Sequence, residues 1–72
     1  MTPKRLQALR EVHGVSQREV AEWLGYSVNG KPNRSMIARF ENGHAKINPR
    51  ISMLLNNFFE MRSSQQLLRR YH

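Results

Sequence analysis

Apolar positions along the chain recur three and four residues apart, the spacing of a helix face, and nowhere alternate long enough to make a convincing strand. Leu6 and Leu9, with Ala8 and Val12 at the margins, form the stripe of a first helix that Thr2 caps, Pro3 opens and Gly14 ends. Val20, Ala21 and Leu24 form the stripe of a second helix, which Gly25 ends. It opens on Ser16-Gln17-Arg18-Glu19, a capping box. In such a box the Ser16 hydroxyl accepts from the Glu19 N–H, and the Glu19 carboxylate reaches back to the Ser16 N–H. Val15 and Val20 complete the start as a hydrophobic staple.

Tyr26 to Pro32 is then a loop with room for a tiny hairpin. Asn29-Gly30 is a strong turn signal, and Pro32 disfavours helix at Lys31. Asn33 is the expected cap of a third helix over 34–41, with Ile37 and Phe40 inward and Asn42-Gly43 at its end. Asn48-Pro49 opens a fourth, with Ile51, Leu54, Leu55 and Phe58 on one face. Past Met61 that face meets Arg62 and Gln65, which predicts a break or bend near Ser63-Ser64 and a separate apolar face of Leu67, Leu68 and Tyr71 on a short last helix. The expected fold is all-α, a small four- to five-helix bundle, with 1–62 as the domain and 63–72 a C-terminal tail or short helix.

Composition narrows the chemistry. Seventy-two residues suffice for one small domain with a marginal core. No cysteine means no disulfide, no thiolate metal site and no cysteine nucleophile. All five acids are glutamates, which excludes an Asp-buttressed triad and Asp-rich cation sites. His13, His44 and His72 are scattered without carboxylates at ligand spacing, so no metal site is expected; His13 is placed against the negative end of the first helix. The four glycines lie at helix ends and in one turn, not in a phosphate loop. No membrane span, leader, cofactor or small-molecule ligand is expected, and the chain suits the cytoplasm.

Charge changes the picture most. The net charge is +7, and residues 31–50 hold Lys31, Arg34, Arg39, Lys46 and Arg50 against Glu41 alone, 5 − 1 = +4. Such concentration in one short segment favours a polyanionic partner.

Two short helices around a turn, the second with an exposed polar face, followed by an amphipathic helix, make a helix-turn-helix organisation. Leu9-Arg10, then Gly14-Val15-Ser16-Gln17-Arg18-Glu19-Val20-Ala21-Glu22-Trp23-Leu24-Gly25, resemble the core signature of the lambda-repressor/Cro (Xre-type) DNA-binding family. Ile37-Ala38-Arg39-Phe40-Glu41-Asn42-Gly43 resembles the end of its recognition helix, and the resemblance covers roughly residues 6 to 58. The turn is enlarged relative to that family, where 3–4 residues are usual.

The resemblance implies that Gln17 binds a phosphate and braces the start of the recognition helix, that Arg34, Ser35 and Arg39 face base edges, and that Asn42 binds a phosphate. It also implies a structural ion pair between Arg10 and Glu41. Independently, a helix with Ile37 and Phe40 inward turns Ser35, Ala38, Arg39 and Asn42 outward. Arg34 lies in the first turn, the part that enters the groove, and an arginine binds guanine bidentately. Lys46 is a further candidate backbone contact. The enlarged turn is read first as a tolerated surface insertion, and functionally as a small wing bringing Lys31 to the DNA backbone. Trp23, at the margin of its helix, is expected to pack and not to stack on bases.

The function expected is therefore a sequence-specific regulator of transcription, with no enzymatic activity. It would act most simply as a repressor, bound as a homodimer to a palindromic operator in double-stranded DNA. Small regulators of this kind occur in phage and mobile elements. Phe59, off the core stripe, with Leu67, Leu68 and Tyr71, is the candidate dimer surface. An RNA-binding module on the same basic face is the alternative, although the aromatic sheet and GXXG loop of common RNA modules are absent.

Overall fold

Capping chemistry delimits the helices in the order the sequence predicts. The structure, a computed structural model, describes the backbone of residues 1–70 and the side chains of residues 1–63. Helix α1 (Pro3–His13) starts where Thr2 Oγ1 accepts from the Arg5 N–H at 3.1 Å, and stops at Gly14, whose φ of 65° a side chain would resist. Helix α2 (Gln17–Leu24) starts where Ser16 Oγ accepts from the Glu19 N–H at 3.1 Å. The box is half made: Glu19 turns its carboxylate to Arg62, 3.6 Å away, instead of back to the Ser16 N–H.

A two-residue hairpin follows, β1 (Ser27–Val28) antiparallel to β2 (Lys31–Pro32), with Ser27 opposite Pro32 and Val28 opposite Lys31. Helix α3 (Arg34–Glu41) begins after Asn33, whose side chain makes no cap bond. Its backbone serves the hairpin, donating from N–H to the Tyr26 carbonyl at 2.9 Å. Helix α4 (Pro49–Arg70) opens with Asn48 Oδ1 accepting from the Ile51 N–H at 2.9 Å.

The core is one cluster of Leu6, Val15, Val20, Ala21, Ile37, Phe40, Leu55, Phe58 and Phe59, with Leu9, Leu24, Tyr26 and Ile51 packed on its edge. All four helices contribute to it, and both residues of the staple, Val15 and Val20, lie inside. Trp23 packs as expected: 40% exposed, it donates from its indole N–H to the Leu54 carbonyl at 3.1 Å and rests 5.5 Å from the Phe58 ring.

Two expectations are corrected. Helix α4 does not break at Ser63-Ser64 but runs on to Arg70, so the described residues form four helices. Serine lowers helix propensity only by tenths of a kcal/mol, and good helix formers flank the pair. Arg62, which ends the apolar stripe, sits at the rim of the core with its guanidinium 5.6 Å from the Phe58 ring centre. Second, Phe59 is not a free dimer contact. It is 4% exposed, 5.4 Å from the His13 ring and 5.1 Å from Phe58. Helix α4 touches α1 on one side and α2 on the other, so it needs adjacent inward positions, Phe59 toward His13 of α1 and Phe58 toward Trp23 of α2. The side chains of Leu67 and Leu68, and Tyr71 altogether, lie outside the described residues.

Phe59→Ala is expected to lower the unfolding free energy by about 3–5 kcal/mol, as cavity-forming aromatic truncations do. Urea denaturation checks it; a loss below about 1 kcal/mol would mean that Phe59 is dispensable to the core.

Candidate nucleic-acid interface

The site is built from α3 outward. Ile37 and Phe40 are completely or almost completely buried, and their burial fixes the rotation of the helix. Arg34, Ser35, Arg39 and Asn42 are exposed as a result, with Ala38 half-buried between them. Asn42 ends the helix, its N–H donating to the Ala38 carbonyl at 2.9 Å. The Arg39 carbonyl accepts from both His44 and Ala45, at 2.9 and 3.1 Å, which turns the chain sharply into the connector carrying Lys46.

An ion pair orients this helix against the others. Glu41, whose side chain is 5% exposed, takes Arg10 Nε on Oε2 at 2.8 Å and Arg10 Nη2 on Oε1 at 3.2 Å. Arg10 Nη1 also donates to the Val15 carbonyl at 3.3 Å, so one guanidinium ties α1, the entry to α2 and the end of α3. The hydrogen bond to Glu41 raises the Arg10 pKa above the ordinary arginine value, against the lowering effect of burial. The raised pKa keeps the Arg10 guanidinium charged until pH climbs past the arginine range, so its own contribution to the pair is lost only above that range.

Gln17 is half-buried and reaches the same carboxylate, Nε2 to Glu41 Oε1 at 3.4 Å. It lines an open groove of about 660 Å³ together with Arg10, Ser16, Arg18 and Arg34. The first turns of α2 and α3 therefore share one surface. Arg18, which sequence reasoning left unassigned, belongs to it; its place beside Gln17 in the first turn of α2 was the available signal. Arg18 also faces Glu22, at 3.7 Å, in an exposed pair one helical turn apart.

Charge is distributed unevenly over these elements. The described ion pairs are Arg10–Glu41, Arg18–Glu22 and Arg62–Glu19. Lys31, Arg34, Arg39, Lys46 and Arg50 are all exposed, and none has an ion-pair partner among the described residues. The single acid of that segment, Glu41, is turned inward.

A second open groove, about 490 Å³, lies between α1 and α4 over Leu9, His13 and Phe59. His13 Nδ1 is buried there without a hydrogen bond. Among the described residues no group of His and Glu side chains is placed to hold a metal ion, and no helix is long and apolar enough to cross a membrane. Comparison with protein-family models, with curated proteins and with solved structures finds no match.

Glu41→Ala strands Arg10 in a mostly buried position, 19% exposed, and is expected to cost roughly 3 kcal/mol, the lower end for a broken buried pair. The double change Arg10→Met/Glu41→Leu removes both charges and should recover most of that loss. Thermal melts of the three variants check this; a double variant no more stable than Glu41→Ala would refute charge burial as the cause.

Proposed function

We infer that the protein is a sequence-specific DNA-binding regulator of the helix-turn-helix kind, similar to the lambda-repressor/Cro family, and that it represses by occupying an operator. The observation that carries this reading is the set of five exposed cations within residues 31–50, without an ion-pair partner among the described residues, borne by β2, α3, the connector and the start of α4, with the other face of α3 packed in the core. An unneutralised basic surface on a short exposed helix suits a duplex: phosphates supply the affinity and the major groove admits the helix.

In this reading Arg34, Ser35 and Arg39 face base edges, and Gln17, Asn42 and Lys46 hold the backbone. The groove that Gln17 and Arg34 share supports their joint role at the start of α3. Gln17 is braced by Glu41 through one amide N–H, which leaves the second N–H to donate to a phosphate at the α2 N-terminus and the amide oxygen to accept from Arg34.

One recognition helix spans only a few base pairs, so the functional unit is a homodimer reading two half-sites about 34–36 Å apart. With Phe59 committed to the core, Leu67, Leu68 and Tyr71 remain the proposed dimer contacts. Occupation of a promoter, with no catalytic step, is the mode of action.

A duplex selected from a random library, titrated with salt against scrambled duplex and single-stranded RNA, tests the function. Preferential binding of the selected duplex is expected, and tighter binding to RNA would replace this reading with the RNA-binding one. Arg39→Ala should cost about 1–3 kcal/mol on the selected duplex and relax preference at one base pair, whereas Asn42→Ala should weaken all duplexes alike. Equal losses on selected and scrambled DNA for Arg39→Ala would remove it from the base readers. Sedimentation should show a dimer that Leu67→Glu/Leu68→Glu dissociates; a monomer that binds its operator as a single copy would refute the dimer.

A further inference from the structure

The segment between α2 and α3 is a built element, not slack chain. The Tyr26 N–H donates to the Ala21 carbonyl at 3.0 Å, and the Tyr26 carbonyl accepts from Asn33 at 2.9 Å, closing the hairpin at its base. The Tyr26 ring packs 6.0 Å from Phe40, so the stem is anchored on the same core residue that orients α3. At the tip Asn29 and Gly30 have φ of 53° and 77°, the pair of positive values that a two-residue hairpin of the I′ kind demands. β2 runs through Asn33 directly into the first turn of α3, so hairpin and helix are held in a fixed relation.

The two faces of the hairpin differ. Ser27 and Pro32, a cross-strand pair, turn toward α2 and line an open groove of about 430 Å³ with Arg18 and Glu22. Successive strand residues face opposite ways, so the other pair, Val28 and Lys31, points away from α2. Val28 is 55% exposed, and Lys31 is exposed without an ion-pair partner among the described residues. An apolar side chain beside a cation, on a rigid arm, matches the alternation of sugar and phosphate along a nucleic-acid backbone. Arg18 lines both this groove and the one shared by Gln17 and Arg34, so the hairpin is continuous with the candidate interface.

On the duplex-binding reading of α3, we propose that the Ser27–Pro32 hairpin is a second DNA-contacting arm, with Lys31 on a backbone phosphate and Val28 against the adjoining deoxyribose. The arm carries affinity and widens the footprint; it reads no base.

Binding of the full chain to selected and scrambled duplexes, measured from 50 to 300 mM salt, tests the arm. Lys31→Ala should weaken both duplexes alike, about eightfold at 0.1 M salt, and lower the slope of log affinity on log salt by about 0.9, the value of one phosphate contact. Lys31→Arg should keep the slope. Val28→Ala should weaken both duplexes with the slope unchanged. If Lys31→Ala leaves affinity and slope as they were while Arg39→Ala abolishes preference, the arm is refuted and the reading of α3 stands. If the intact protein binds no duplex, the reading itself fails. A Lys31→Ala variant that alters sedimentation instead of the salt slope also overturns the arm, by assigning this face to a second protein chain.

Discussion

The arrangement of the three N-terminal helices depends on one guanidinium. Arg10 reaches from α1 to the buried carboxylate of Glu41 at the end of α3 and to the carbonyl of Val15 at the entry to α2. Gln17 completes the network on the Glu41 carboxylate. A carboxylate so nearly buried is costly without its partners, and with them it accepts only a narrow range of positions for α3. Apolar packing of Ile37 and Phe40 sets which face of the helix is inward. The ion pair ties the end of that helix to α1 and to the entry of α2.

That constraint shapes the electrostatics of the surface. Residues 31–50 contain one acid, and burying it against Arg10 leaves cations as the charged side chains the segment exposes. A bundle of this size has little stability to spare, so a rigid basic face is achieved by caps, glycine stops and one tight network, not by a large core. The same economy explains the hairpin. Its two-residue strands are too short to stand alone, and Tyr26 gives them a footing on Phe40.

Helix α4 carries the rest of the packing. It presents Phe58 toward Trp23 and Phe59 toward His13, and so bridges α2 and α1 beneath the α3 surface. Two adjacent aromatic residues facing different neighbours make its apolar pattern broader than a single stripe. This breadth is also why Arg62 can end the stripe without ending the helix, its guanidinium lying over the Phe58 ring and beside Glu19 at the rim of the bundle.

Local chemistry was legible in the sequence. Thr2, Ser16 and Asn48 cap the helices they precede, Gly14 and Gly25 stop them, and Asn29-Gly30 makes the turn, because each effect acts within a few residues and needs no distant partner. The outward set Arg34, Ser35, Arg39 and Asn42 followed from the spacing of Ile37 and Phe40 for the same reason. What depends on distant residues was not legible. Phe59 was assigned to an outer face because one helical stripe cannot show that α4 has neighbours on two sides. Glu19 left its capping box for Arg62, forty-three residues away, and Asn33 gave up its side-chain cap when its N–H closed the hairpin. The helix passed through Ser63-Ser64 because a backbone already propagating tolerates two weak formers. The sequence by itself determined where the helices start, stop and turn; only the tertiary structure decided which faces meet, because burial is a property of neighbours that lie far apart along the chain.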